Sequence, residues 1–283
     1  MNTHVAENTH WYREGGIPVT EVPKADGKGF KKPTLREAKL AAKAGDHWVP
    51  GTTSIIGCVN KPSILNYSIN QALEVALTSP LVDQYRDGEI EEARFMKLIR
   101  IEIDRHKNMA AEGGKRLHFL SEFFVENGLF HSATTDPERA IVEAIEGAIV
   151  KHLKTPDTKW VVEESFAHLG LFYGGRIDRR SEDHSIYLDI KTQEWKEGGK
   201  PNFYPENPMQ LAAYAIGRRW EEGQSLIHQE LKDQRLLSVV AHRCRPEVWV
   251  KEWTEKEAAH AWSKFNAMRR YFLIDKKLGI FAE

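Results

Sequence analysis

Apolar side chains in one central segment of the chain recur with a helical period. Between residues 136 and 154 they stand at every fourth position: Ile141, Ile145, Ile149 and Leu153. This spacing predicts a helix with one apolar face. Thr135 or Asp136 can cap its start, and Pro137 fits its first turn.

Charged residues dominate two segments before that helix. Residues 84–127 have helical character, and Gly113-Gly114 predicts two helices that meet at the glycines. A short basic helix is expected from Leu35 to about Ala44, at the end of a stretch with seven basic residues: Lys24, Lys28, Lys31, Lys32, Arg36, Lys39 and Lys43. Two interpretations stay open for this stretch, a solvated arm and an arm that contacts nucleic acid.

The pattern changes to short extended runs from residue 160. WVVEESF, GLFYGGRIDRR and SIYLDIKT are rich in Val, Ile, Tyr or Phe, and short polar turns separate them. This arrangement predicts an antiparallel meander of three strands.

A second helical and extended region follows the meander. A loop with two glycines and three prolines precedes a helix from about Met209 to Glu222. The runs LLSVVAHR and EVWVKEW are strand candidates, and a final amphipathic helix is expected from about Glu255 to Leu273. The predicted order is helices, three strands, helix, two strands, helix.

Composition limits the class of protein. With 283 residues, 41% of them hydrophobic, the chain can bury a core as one large domain or two modest ones. Its 40 basic and 41 acidic residues give a net charge of −1, so any nucleic-acid binding must come from local patches. The two cysteines, Cys58 and Cys244, are too few for a disulfide framework, a four-cysteine zinc site or an iron–sulfur cluster held by four thiolates.

Two short motifs carry candidate chemistry. Gly-Gly-Arg-Ile-Asp ends at Asp178, and Asp-Ile-Lys-Thr begins at Asp189. Along a strand Asp189 and Lys191 share a face while Ile190 points into the core. If the two strands pair antiparallel, Asp178 lies beside Asp189, and two carboxylates and an ammonium converge.

Such a group suits phosphodiester hydrolysis. Carboxylate oxygens can hold Mg²⁺ or Mn²⁺, which polarises a phosphoryl oxygen and lowers the pKa of bound water. A nearby lysine can orient the nucleophile or stabilise developing negative charge. The alternative is an exposed ion pair worth less than about 1 kcal/mol.

Two helical pairs add further candidates. His118 and Glu122 are four residues apart, and a helix packed on the meander could aim His118 at the two aspartates. Gln210 and Tyr214 have the same spacing, and their polar ends could position a phosphate or support the lysine.

Taken in order, these motifs resemble those of the PD-(D/E)XK nuclease superfamily, in its RecB-like exonuclease branch. The resemblance covers about residues 110–220 and includes G-x-x-x-H, Glu163 or Glu164, G-G-x-I-D, D-I-K-T and Q-x-x-x-Y. VPGTTSIIG is similar to a segment of phage and mitochondrial exonucleases in this group. The fold it implies is α/β, with a restriction-endonuclease-like core, a central mixed β-sheet flanked by helices and a helical N-terminal region.

The resemblance also implies roles for single residues. It assigns Lys191 as the catalytic lysine and one or two Mg²⁺ or Mn²⁺ ions to His118, Asp178, Asp189 and the Ile190 carbonyl. Glu163 and Glu164 alternate in direction along a strand, and we favour Glu163 as the one that faces the site. Gln210 and Tyr214 match the family motif that lies beside the nucleic-acid backbone, and Arg176 and Thr192 are also expected to bind nucleic acid. From the residues alone, Trp195, Lys196 and Lys200 in the loop after D-I-K-T are either a flap that contacts the substrate or a disordered surface loop.

One departure from the family pattern concerns an iron–sulfur cluster. Some RecB-like relatives hold such a cluster with four cysteines, whereas this chain has only Cys58 and Cys244, so we expect no cluster here. The C-terminal region must instead be held by packing of aromatic side chains: Trp249, Trp253, Trp262 and Phe265.

The domain organisation expected from these patterns is a basic, partly flexible arm over residues 1–46 and a single nuclease domain over 47–283. Within that domain we expect a helical part over 47–155, a catalytic core over about 110–250 and the C-terminal helix at 255–273.

Three functions remain open. The first is a metal-dependent DNA exonuclease in phage-type DNA processing, recombination or repair. The second is a PD-(D/E)XK endonuclease of restriction or junction-resolving type, and the third a catalytically silent nucleic-acid-binding protein. The expected partners are DNA with a free end and a recombination or single-strand-binding protein. No run nears the roughly 18 apolar residues of a membrane span, and we expect a cytoplasmic protein of a bacterium or phage-infected cell.

Overall fold

The computed structural model describes residues 10–59, 62–155, 157–221, 231 and 233–281. They fall into two compact units, one of Val59–Arg116 and one within Met1–Cys58 and Leu117–Glu283. Among the described residues, no helix combines the length and apolar character that a membrane span requires.

The strands, in chain order, are β1 (Trp11–Arg13), β2 (Ile17–Pro18), β3 (Val22–Pro23), β4 (Phe30–Lys31), β5 (Val49–Pro50), β6 (Trp160–His168), β7 (Tyr173–Ser181), β8 (Ile186–Gln193), β9 (Arg235–His242) and β10 (Val248–Trp253). The helices are α1 (Leu35–Lys43), α2 (Thr52–Ile56), α3 (Pro62–Thr78), α4 (Pro80–Arg86), α5 (Glu92–Asn127), α6 (Asp136–Leu153), α7 (Glu206–Glu221) and α8 (Glu255–Lys276).

The central sheet of the larger unit is mixed. Its strand order is β10-β9-β8-β7-β6, and only β8 and β9 run parallel. The connection between those two strands contains α7, as a parallel pair requires. The predicted meander of β6, β7 and β8 and the two later strands are confirmed.

Helices cover both faces of this sheet. Along β8, Tyr187 joins an apolar cluster with α7 and α8, whereas Leu188 and Ile190 join a cluster with α6. A strand buried on both faces is expected to be apolar almost throughout. A polar residue in the middle of β8, such as Asp189, therefore needs a specific reason.

Helix caps agree with the sequence. Thr135 accepts from the Glu138 backbone, and the Glu138 side chain accepts in return, which forms a capping box at the start of α6. Thr254 and Glu257 do the same for α8, which ends at Lys276, three residues later than predicted.

The predicted helix break at Gly113-Gly114 is wrong. α5 runs without interruption from Glu92 to Asn127. A glycine inside a helix costs about 1 kcal/mol relative to alanine. Strong helix formers on both sides, in the segments MAAE and KRL, outweigh that cost.

Part of the predicted N-terminal arm is built into the larger unit. β1 pairs with β2 and β5, and Trp11 and Tyr12 are buried. α1 occupies the predicted basic helix. Single apolar side chains in this polar stretch thus pack onto distant parts of the chain, as Trp11 does on Leu273. Residues 1–9 lie outside the described residues.

Candidate active site

The site begins where β7 and β8 separate. Their pairing ends at Arg179 with Leu188, one step before Asp178 would stand opposite Asp189. Asp178 Oδ2 instead accepts a hydrogen bond of 2.7 Å from the Ile190 backbone N–H. The carboxylate thus replaces a strand-pairing carbonyl, which holds Asp178 against the backbone of the neighbouring strand.

Side-chain alternation also breaks at this point. Ile177 belongs to the apolar cluster on the α7 side of the sheet, whereas Arg179, two residues later, reaches Ser121 on α5 and Glu146 on α6. Regular strand geometry would send both to one face. The irregularity leaves Asp178 within reach of α5.

Asp189 and Lys191 form a close pair. Lys191 Nζ lies 2.6 Å from Asp189 Oδ1, and the Asp189 side chain is 0% exposed. Asp189 Oδ2 is buried without a hydrogen-bond partner among the described residues. An unsatisfied buried carboxylate oxygen is rare and marks a place where a further group is expected.

The pKa values of Asp189 and Lys191 depend on burial and on the charge of Asp178. Burial raises the pKa of Asp189 to about 7; the charge of Lys191 opposes this rise, and that of Asp178 adds to it. Burial lowers the pKa of Lys191, but the carboxylates of Asp189 and Asp178 outweigh it, so its pKa lies above the usual value. Lys191 therefore keeps its proton at neutral pH.

His118 approaches the same carboxylates from α5. Its Nδ1 lies 3.7 Å from Asp178 Oδ2. Burial lowers the pKa of His118, and the charges of Lys191 and Arg179 lower it further; the Asp178 charge and a hydrogen bond with the Ile190 backbone oppose this only in part. The imidazole is therefore neutral near pH 7, the form in which a histidine can bind a metal ion.

Glu163 completes this group from β6. Glu163 has a φ of +50°. The residues before and after it pair regularly with β7, but Glu163 does not pair with Asp178, the residue that would stand opposite it. A left-handed glutamate within a strand is strained, and such strain is typical of functional sites. Ligand atoms of His118, Glu163 and Asp178 lie within 4.8 Å of one another. We refer to these three residues as the carboxylate group.

The two neighbouring glutamates have different surroundings. Glu163 accepts a hydrogen bond from Arg176 Nε, whereas Glu164 pairs with Arg180 and Arg218. Glu163 is therefore the one in the carboxylate group. That group contains Glu163 where the predicted ligand set had Asp189, whose Oδ1 is held by Lys191.

Glu122 lies one turn after His118 on α5. Burial raises the pKa of Glu122 to about 7, and the Arg176 charge opposes that rise. Burial thus raises the pKa of two carboxyl groups in the site, Glu122 and Asp189, and perturbed carboxyl pKa values are common in active sites.

A buried arginine of β7 links this strand to α5 and α6, and no local sequence pattern indicates it. The Arg179 side chain is 1% exposed. It donates to both Glu146 oxygens at 2.7 and 2.8 Å, and to Ser121 Oγ at 2.6 Å. Ser121 is three residues from His118, so this network fixes α5 and α6 against β7 next to Asp178.

Gln210 and Tyr214 lie on the α7 side of the sheet. Gln210 Nε2 donates to the Tyr214 hydroxyl at 2.7 Å, and both side chains are largely buried. Burial raises the pKa of Tyr214 far above its usual value, with further increases from Asp189 and Asp178. A Cβ at Gly175 would lie 2.6 Å from Tyr214 Cε1, so glycine is needed there for α7 to approach β7.

The remaining predicted DNA-binding residues lie on β8 and in the loop after it. Trp195 is half-buried: its Nε1 donates to Glu247 at 3.0 Å, and its ring meets His242 edge-on. Lys200 Nζ stands 5.5 Å from the centroid of the Trp249 ring. Among the described residues, no contact links Trp195, Lys200 or the exposed Lys196 to the carboxylate group. Thr192 pairs with Ala241 of β9.

The chain matches no protein-family model and no curated protein. Among solved structures it is similar to a protein from Eubacterium rectale described as a "putative exonuclease". The two are 12% identical, the match covers 58% of this chain and 68% of the other, and the TM-score is 0.41. The protein SSO0001 is 15% identical over 53% of this chain and 84% of its own, with a TM-score of 0.23. At these TM-scores neither likeness identifies an activity.

Proposed function

We propose that this chain is a divalent-metal-dependent deoxyribonuclease with a PD-(D/E)XK core, and that it acts as an exonuclease. The observation that carries the proposal is the separation of β7 and β8 around Asp178, Asp189 and Lys191. Two acidic side chains and a protonated lysine between separated strands in a buried sheet are costly to maintain without a function.

The donor set fits a divalent cation. One neutral imidazole nitrogen and carboxylate oxygens from Glu163 and Asp178 are already close together. Asp189 would add the buried oxygen that lacks a hydrogen-bond partner among the described residues. This mixture suits Mn²⁺ or Mg²⁺ better than softer metals, because most of the ligands are hard oxygens.

The bound cation would polarise the phosphodiester and lower the pKa of a water molecule. Lys191 has a distinct task. Its side chain is 36% exposed and charged, so its ammonium can contact a phosphate oxygen or the attacking water as negative charge develops. Asp189 holds that ammonium in place through the 2.6 Å contact.

The substrate assignment to DNA with a free end rests on the resemblance of these motifs to RecB-like exonucleases. Arg176, beside Glu163, is a suitable partner for a phosphate. Because the net charge is −1, binding should depend on local cations and on the metal, and should weaken at modest salt.

The activity is tested with purified protein on end-labelled linear DNA and on closed circular DNA, each in single-stranded and in double-stranded form. We expect hydrolysis of linear DNA only in the presence of Mg²⁺ or Mn²⁺, with no cutting of circles. Cutting of circles at a rate comparable to that of linear DNA would favour an endonuclease on the same fold. Binding of DNA without hydrolysis under any of these conditions would contradict the nuclease proposal.

A further inference from the structure

A second feature of the larger unit lies outside the carboxylate group. It is a cavity of about 910 Å³ between α1, the turn that joins β6 to β7, the second half of α8 and the residues that follow α8. A volume of this size is typical of pockets that enclose a small ligand or a peptide side chain with its neighbours.

The charge of the cavity has one sign. Its lining includes five lysine and arginine side chains: Lys39, Lys43, Arg269, Arg270 and Lys277. No lining residue that the structure describes carries a carboxylate. In a protein whose net charge is −1, this local excess of cations favours an anionic ligand.

Apolar side chains form the floor of the cavity. Leu273, Leu278 and Trp48 are nearly fully buried there, and Ile280 at the rim is 90% exposed. An exposed isoleucine next to a buried apolar floor is a surface onto which another apolar group can pack.

Polar groups near the floor are already engaged. The Trp48 indole N–H donates to Asp46 Oδ2 at 2.8 Å. Asn266 Oδ1 accepts from Arg269, which also donates to the Leu171 carbonyl. A nucleic-acid base needs hydrogen-bond partners for its edge when it is buried, whereas an apolar side chain needs none. The floor therefore favours a peptide over a nucleotide.

We propose that this cavity binds an acidic peptide segment of a partner protein, with one bulky apolar side chain on the floor and carboxylates on the surrounding cations. Acidic motifs are recognised by such basic clusters, and an apolar anchor in a pocket provides much of the affinity. The proposal is independent of the nuclease activity, since it involves none of the residues of the carboxylate group.

Fluorescence anisotropy with the full chain, without metal or DNA, tests this. The probe is a fluorescein-labelled peptide, Asp-Asp-Glu-Phe-Asp-Asp, and we expect saturable binding in the micromolar range, roughly 1–100 μM. Replacing Phe by Ser, or the acids by their amides, should weaken binding about tenfold or more.

Protein variants complete the test. Lys39→Glu/Arg270→Glu should weaken binding about tenfold or more. Lys256→Glu should change it less than about twofold, since Lys256 lies on the same helix about 21 Å from Arg270 at 1.5 Å per residue. Absence of saturable binding up to about 1 mM, equal binding of the Ser peptide, or equal loss in Lys256→Glu would overturn the proposal. Tighter binding of an oligo-dT strand that is lost in the double variant would overturn it in favour of nucleic acid.

Discussion

The pair of Arg179 and Glu146 provides a quantitative test of how the site is held. Arg179→Met leaves the Glu146 carboxylate, whose side chain is 19% exposed, without its main partner. Ser121 loses two contacts from the same guanidinium. Breaking a buried ion pair by removing one partner costs about 3–5 kcal/mol, and we expect a loss of that size in the free energy of unfolding.

The double variant separates the pair from its surroundings. Glu146→Leu alone should also cost about 3–5 kcal/mol, because it leaves a buried guanidinium unpaired. Arg179→Met/Glu146→Leu should cost less than either single change, since replacing both charges by apolar groups is often neutral or stabilising.

Urea unfolding of the three variants measures these values, with Lys276→Met as a control. Lys276 pairs with Asp275 at the surface, with both side chains more than 40% exposed, so its loss should cost at most about 1 kcal/mol. If the double variant loses the sum of the two single losses, the two residues act independently and the reasoning is wrong.

Three further outcomes are expected. Gly217→Ala should lower the free energy of unfolding by about 1–3 kcal/mol in the urea assay, because the new Cβ would lie 2.2 Å from a ring carbon of the buried Phe166. Gly147→Ala is the control: a Cβ there would meet no atom within 4 Å, so it should raise the free energy of unfolding by about 0.5–1 kcal/mol. Lys191→Met should lower the hydrolysis rate about 100-fold or more while calorimetry still detects Mn²⁺ binding. Burial raises the folded-state pKa of Glu122 from 4.5 to about 7. The stabilising contribution of Glu122 is therefore fully present below pH 4.5 and is lost as the pH rises through 7. Glu122→Gln should reduce the difference in the free energy of unfolding between pH 5 and pH 8, measured with urea.

Local patterns in the sequence predicted much of the fold. The meander, α6 with its Thr135 cap and the final strands and helix follow from periodicity and turn chemistry, which act over a few residues. The antiparallel pairing of β7 and β8 also followed, because a short turn joins the two strands and leaves little freedom in their register.

Other features depend on contacts between distant segments. The positive φ of Glu163 and the network of Arg179 with Glu146 and Ser121 arise only after β6, β7, α5 and α6 are assembled. The residues around Trp11 in the sequence are polar, and its burial follows only from the pairing of β1 with β5. No spacing rule within one segment reports such contacts.

The central claim is that Asp178 and Asp189 form a metal-dependent phosphodiesterase site. The most direct test is the hydrolysis rate of end-labelled linear DNA with Mn²⁺, measured for Asp178→Asn, Asp189→Asn and Glu182→Gln. Glu182 is an exposed carboxylate in the turn between β7 and β8, so its variant matches the chemical change outside the site. We predict that both aspartate variants lose at least about 100-fold in rate while Glu182→Gln keeps the wild-type rate. Wild-type hydrolysis by either aspartate variant, or equal loss in all three, would contradict the claim.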